Sequence, residues 1–541
     1  MYPVKSVLCD IGHTSSIHSN QEHAVTFSGT LYPFQAKAVA RMIAARQLLV
    51  AFEMGLGKTV LTVACIEQLI DDEKIRQGFI ICPASIKLQW ERMIHEFAPE
   101  ANVIVVTGEL PRRAEQYRRY KEGDAEYLII NPEQMVNDWE IISKLPRDYI
   151  VADEIQWAKN FKPQRSKKLK RLGATYRWGL TGQPIENRAE EAYSIMQWIN
   201  PDVLGDYRTF DRAFIVRDYF GKPRVYRNLP TLHRLLSDHM VRHTRAEVAD
   251  QMPAVSEETI LIDMDPEGAK VYRRIVADLT RDVEEMLQTW GNFSLSGLYH
   301  GEDQGEARGR VMSKLICLRM LCDHPELLKI SAAHYRGELA GNRVGSEYAE
   351  ELHGAGRLEK LLKQPKLDCL IEVVTDILEA SADNKIVIFS FFTDMLDMIA
   401  TATTHLTKSV LFTGRVSQKG RDAAKQQFNT DPGTQLFLSS DAGGIGLDLP
   451  MANFLVSVDL PWSAGAYAQR QARIIRLSSV WPRVTLLSLQ VAGSIEEYQM
   501  GLLKQKRKVA DAIVDGVGIS PRGRLSLDLQ SLSQFLREHE V

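Results

Sequence analysis

Two series of short, unbroken apolar runs restrict the folds open to this chain more than any other feature. The first comprises RQLLVAF, GFIICP, NVIVVTG, EYLIIN, DYIVADE and RWGLTG, within residues 46–182. The second comprises NKIVIFS, SVLFTG, TQLFLSS, NFLVSVD and RVTLLSLQ, within residues 384–490. A strand with one wet face alternates apolar and polar residues, whereas a run that is apolar throughout suits a strand buried on both faces of a helix-covered parallel sheet. The expected fold class is therefore α/β, with two parallel-sheet lobes. A length of 541 residues allows three to four domains at roughly 150 residues each, or two large ones carrying insertions.

From about 190 to 330 the strand pattern fades. AEEAYSIMQWI, TLHRLLSDHMV, GAKVYRRIVADLTRDVEEMLQTW and VMSKLICLRML have helical spacing and read as insertions on the lobes. Residues 291–310 are glycine-rich and polar, a loop pattern, and a further soft stretch spans about 331–356. The expected division is a tail over 1–28, a first lobe over 29–255 with a helical insertion near 190–245, a second lobe over 256–510 with one near 265–330, and a C-terminal segment over 511–541 that ends in a short amphipathic helix.

A net charge of −3 advertises no polyanionic partner globally, so any such surface must be local. The cysteines at 9, 65, 82, 317, 322 and 369 form no C-x-x-C pair, which favours a reducing compartment. No apolar run reaches ~18 residues, and the N-terminus lacks the order of a secretory signal, so no membrane association is expected. Cys317, Cys322 and His324 lack zinc-site spacing and read as packing residues, as do Trp90 and Trp462; His95 and His243 read as structural or surface residues.

The stretch VAFEMGLGKTVLTVAC, residues 50–65, sets a glycine loop between a strand and a helix start, where backbone N–H groups meet phosphates. Lys58 suits the β/γ-phosphates and the Thr59 hydroxyl suits Mg²⁺. One mismatch stands out: Phe52 occupies the place six before the lysine where glycine is usual. DYIVADE then ends an apolar strand with Asp153 and Glu154, at the carboxyl end of a central strand, outside the sheet, where α/β ligands bind. One carboxylate suits Mg²⁺, and its neighbour suits the attacking water. Phosphoryl transfer also needs cations on the γ-phosphate, and QRQARIIR (469–476) supplies Arg473 and Arg476, which share one face if helical.

The order of these elements resembles the Swi/Snf-type ATPases of helicase superfamily two, from about residue 30 to 510. The strings that carry it are LYPFQAKAV, EMGLGKT, IICPASIKLQW, ADEIQWAKN, LTGQPIEN, LICLRMLCDHPELL, SSDAGGIGLDLP and QRQARIIRLSS. The family's phosphate loop normally has an acid at the place of Phe52. The resemblance implies two RecA-like lobes and ATP with Mg²⁺ as cofactors. It also implies nucleotide contacts from Gln35, the loop Glu53, Met54, Gly55, Leu56, Gly57, Lys58 and Thr59, the sensor Gln156, Gly446 and Gln469. Thr59 and Asp153 would hold the metal, and Lys58, Thr59, Asp153, Glu154, Arg473 and Arg476 would form the hydrolytic set. Departures from the pattern are Ile155 for alanine, Gln183 for threonine, Asp441 where lysine is common, Asp448 where asparagine is, Ala472 for glycine, Ile475 for histidine, and Ser478-Ser479 for Gly-Gln.

KNFKPQRSKKLKR (159–171) holds seven Lys/Arg and reads either as a groove for nucleic-acid phosphates or as a solvated helix face. KQKRK (504–508) reads as a helix C-terminal cap or a backbone-phosphate contact. Three functions compete: a DNA-dependent ATPase moving on duplex DNA, a strand-separating helicase, and a nucleotide-binding DNA scaffold without turnover. The intact acids and arginines favour the first two. Duplex or branched DNA is the expected partner, alongside an unidentified protein; a monomer is expected, cytoplasmic in a prokaryotic or viral setting and nuclear in a eukaryotic one.

Overall fold

The computed structural model describes residues 27–161, 163–185, 188–217, 223–290, 305–339, 344–441, 447–516, 522–523 and 529–538. Gly446, Lys162, most of the 1–28 tail and residues 291–304 of the glycine-rich stretch lie outside the described residues.

All six runs of the first series are strands: β1 (Gln47–Phe52), β2 (Gly78–Ile81), β3 (Val103–Val105), β4 (Tyr127–Ile130), β5 (Tyr149–Ala152) and β6 (Tyr176–Leu180). After the hairpin β7 (Ile215–Arg217) and β8 (Pro223–Arg227), β9 (Met240–His243) joins them in a seven-stranded sheet of order β3-β4-β2-β5-β6-β1-β9. Every pairing in it is parallel. The second sheet holds β10 (Ala254–Ile262), β11 (Ile386–Phe389), β12 (Lys408–Phe412), β13 (Thr434–Ser439), β14 (Phe454–Ser457) and β15 (Arg483–Val491). Its order is β10-β15-β14-β11-β13-β12, again parallel throughout.

The reason the strand runs are unbroken is visible in the packing. On β1, Leu49 and Ala51 feed one core while Leu48, Val50 and Phe52 feed the core on the opposite face. On β11, Ile386 and Ile388 divide from Val387 and Phe389 in the same way. Side chains alternate faces along a strand, so two dry faces need apolar residues at every position.

The region expected to be helical is only partly so. Helices Ala189–Ile199, Leu229–Ser237, Pro266–Trp290 and Gly305–Asp323 form, but β7 to β10 lie among them. In particular TLHRLLSDHMV ends its helix at Ser237 and enters β9 at Met240. The helix Ile495–Val514 leaves the second sheet and reaches back to the first lobe, where Ile513 and Val514 join its core. KQKRK therefore lies within this helix and not at its C-terminal cap, because the apolar residues that follow are drawn into the other lobe's core. The helix Leu529–Glu538 packs Leu532 and Leu536 onto the core that includes Val283 of Pro266–Trp290.

Candidate nucleotide site

Phe52 ends β1 fully buried, with its ring edge-on to His243 at 5.0 Å and tilted against Phe34. The aromatic at the mismatched position thus serves the core and leaves the loop proper, Glu53–Gly57, unobstructed. Gly55 and Gly57 have φ of +90° and +78°, a region open to glycine at little cost. Both also allow close approach: a Cβ on Gly55 would lie 2.6 Å from the Ile475 carbonyl, and one on Gly57 would lie 2.5 Å from Gln35 Nε2. Gly57 caps the helix Lys58–Asp71, with Thr59 in its first turn.

Gln35, almost fully buried, lies under this loop; its Nε2 donates to the Leu56 carbonyl at 3.0 Å and its Oε1 accepts from Tyr32 N–H. Glu53 accepts from the Arg245 N–H at 2.8 Å and lies 3.5 Å from Arg242, while Arg245 Nε donates to the Met54 carbonyl. Lys58 Nζ donates back to the Phe52 carbonyl at 2.9 Å. Enclosure lowers the lysine's pKa, opposed by the charges of Glu154 and Asp153.

Asp153 and Glu154 follow β5 directly. Asp153 Oδ2 accepts the Trp90 indole N–H at 2.8 Å, and Oδ1 accepts the Glu154 N–H. Burial, and after it the neighbouring Glu154 carboxylate, pushes the Asp153 pKa up to about 6. Glu154 has φ +48° and ψ +48°, a strained backbone for a side-chain-bearing residue and a common sign of a functional position. Its Oε2 accepts from Gln156 Nε2 at 2.5 Å; Gln156 Oε1 in turn accepts from the Thr181 hydroxyl, whose oxygen accepts the Gln183 N–H. A relay of hydrogen bonds thus joins Glu154 to the LTGQP loop.

The second lobe supplies the arginines from a turn, not from a helix face. The helix Ala464–Gln471, which carries half-buried Gln469, ends two residues before Arg473. The Arg473 carbonyl accepts from Leu449 N–H, and the Leu477 N–H that would complete the helical bond reaches the Gly55 carbonyl at 3.4 Å. The broken helical pair is thus satisfied partly within the second lobe and partly by the glycine loop of the first. Arg473 Nη1 and Arg476 Nη2 converge on the Leu447 carbonyl at 3.0 and 2.8 Å. Burial, then the neighbouring Arg476 charge, pushes Arg473 down to about 10, while Glu154 attracts it.

Several partners were not legible in the motifs. Trp90 is core, as expected, yet its indole N–H also holds Asp153. Asp441 and Asp448, both departures from the pattern, pair with Arg470 and Arg476. Cys317 and Cys322 are buried, and His324 caps the helix Pro325–Tyr335 by accepting the Glu326 N–H. In the basic run, the ammonium of Lys168 and the guanidinium of Arg171 lie over the Trp139 ring, and Lys170 donates to the Ser194 hydroxyl. Burial pushes Lys170 down to about 8.

Two parallel-sheet lobes meeting at a glycine loop define a class, the helicase-like ATP-binding hydrolases. The sequence pattern of the SNF2-related domain matches residues 31–327, and that of the helicase conserved C-terminal domain matches 365–478. The chain belongs to the SNF2-related family. A putative ATP-dependent helicase/translocase of Bacillus subtilis, YwqA, is 26% identical over 91% of this chain and 50% of its own length. The TATA-binding protein-associated factor mot1 of Schizosaccharomyces pombe is 25% identical over 87% of this chain and 26% of its own. This chain thus spans half or less of the curated relatives it matches. A solved SWI2/SNF2 ATPase core of Sulfolobus solfataricus, in complex with dsDNA, is 25% identical, with 91% of this chain and 94% of that one covered and a TM-score of 0.41. Among the described residues no helix is long and apolar enough to cross a membrane.

Proposed function

We propose that this chain is a DNA-dependent ATPase motor that couples ATP hydrolysis to translocation on duplex DNA, of the remodelling or strand-annealing type, with lobes over 29–255 and 256–510. The observation that carries the reading is the contact of the arginine turn with the phosphate loop, Leu477 N–H to the Gly55 carbonyl. Closure of one lobe on the other brings the cations to the place where phosphate would lie.

The donor set fits ATP with Mg²⁺: among the described residues Lys58 Nζ donates to backbone carbonyls, and two guanidiniums share one carbonyl. Bound Mg²⁺ would supply positive charge that offsets the charge of the phosphates. Thr59 and Asp153 would hold the metal, with the Trp90 indole N–H orienting the Asp153 carboxylate. Gln35 supports the loop and, with Gln156, Gly446 and Gln469, completes the nucleotide contacts. Glu154 orients and deprotonates the attacking water, and Arg473 and Arg476 stabilise charge on the transferring group. Loss of the phosphate removes what those guanidiniums grip, and the lobes part.

The basic helix Gln164–Arg171 supports a backbone-tracking surface, since Lys167 is exposed and Lys168 and Arg171 are steadied on Trp139. ATPase rates measured with no nucleic acid, single-stranded, duplex and forked DNA, and RNA test the proposal. Duplex or fork stimulation without strand separation is the expected result. Unwinding would select a strand-separating helicase, and no turnover a scaffold. Lys167→Glu with Lys168→Glu is expected to weaken DNA binding and reduce the salt slope by about 2, near 0.9 per lost phosphate contact. An unchanged slope would return the run to a solvated face.

A further inference from the structure

We propose that Asp448 is a positioning residue for Arg476, the acid that holds this guanidinium against the phosphate loop. The inference rests on the reading of Arg476 as the transition-state cation. Asp448 is one of the departures from the Swi/Snf pattern that the sequence resembles, in which asparagine is common at this place.

The geometry fixes the arginine from three sides. Its backbone and stem lie over Gly55: an added Cβ there would sit 3.2 Å from Arg476 Cα and 3.4 Å from its Cγ. Nη2 donates to the Leu447 carbonyl at 2.8 Å. Nε lies 2.7 Å from Asp448 Oδ1. That last contact is an ion pair without an aligned hydrogen bond, and among the described residues neither Nε nor Oδ1 has another hydrogen-bond partner. Charge, more than direction, therefore holds the guanidinium there. Arginine has five N–H donors, and the contacts with Leu447 and Asp448 engage only part of that set. Burial lowers the pKa of Lys425, on the helix Gln418–Thr430, and the Asp448 charge opposes that shift.

Without the carboxylate, Arg476 keeps a single carbonyl tether, which Arg473 shares, and its long side chain samples other rotamers. A group that only pre-orients a transition-state cation changes kcat and leaves nucleotide binding alone. Asp448→Asn keeps the shape and removes the charge; it is expected to lower kcat by roughly fivefold or more with KM for ATP within about twofold. Affinity for ADP–aluminium fluoride with Mg²⁺ should fall in step with kcat, while affinity for ADP should not. Asp448→Glu, which retains the charge, should recover part of the rate. In an Arg476→Ala background, Asp448→Asn should change kcat by less than about twofold, since its target is gone. A normal kcat in Asp448→Asn, or an equal loss in the Arg476→Ala background, would overturn the positioning role. If Arg476→Ala itself kept the parental rate, the reading of Arg476 beneath this inference would fail instead. Thermal unfolding of each variant separates these outcomes from a loss of fold, which would make the role merely structural.

Discussion

Glu154→Gln is expected to bind ATP close to normally and to lose turnover by on the order of 10³-fold, within the range general-base removal gives. The carboxamide preserves the volume and can still meet Gln156, so the relay through Thr181 survives in outline. What it cannot do is accept the proton of an attacking water. The left-handed backbone at Glu154 makes the expectation sharper, because φ of +48° is held by the surrounding turn and does not depend on the charge lost. Single-turnover hydrolysis with a parallel fluorescent-nucleotide titration measures both halves. Turnover within tenfold of the parent protein would refute the role as base, and lost binding would place the carboxylate in nucleotide or metal affinity instead.

The elements legible in the sequence were those whose burial leaves a one-dimensional trace. All eleven apolar runs became strands, and the inner ones are dry on both faces. β10 left no such trace: Ala254–Ile262 is an edge strand, mostly exposed, and its sequence AVSEETILI mixes acids with apolar residues. The hairpin β7–β8, lying outside both large sheets, was equally silent. At the site, the glycine loop and the acid pair are local, so spacing displays them. Trp90 on Asp153, Gln35 under Leu56, and Arg242 and Arg245 on Glu53 are joined only by the fold, at separations of 63, 21, 189 and 192 residues. The expectation of a helical arginine face failed for a similar reason. Spacing cannot show that Leu449 and Gly55 take the hydrogen bonds a continuing helix would need.

Arg476→Ala is expected to lower kcat by about 10³-fold, equivalent to ~4 kcal/mol of transition-state stabilisation. The size follows from where the side chain lies: against the glycine loop, within the electrostatic reach of Lys58, and beside a second guanidinium on the same carbonyl. Two like charges held together repel, which adds to burial in lowering the Arg473 pKa, and a phosphate arriving between them would relieve that repulsion. Arg473 is the more buried of the pair, so Arg473→Ala removes packing as well as charge, whereas Arg476→Ala is the cleaner probe of chemistry. Steady-state kinetics over a range of ATP concentrations should show the loss in kcat with KM little changed, the pattern of an interaction made chiefly in the transition state. A loss under tenfold would remove Arg476 from the finger role. A rise in KM with kcat preserved would make it a ground-state nucleotide contact, with the second lobe contributing affinity and not catalysis.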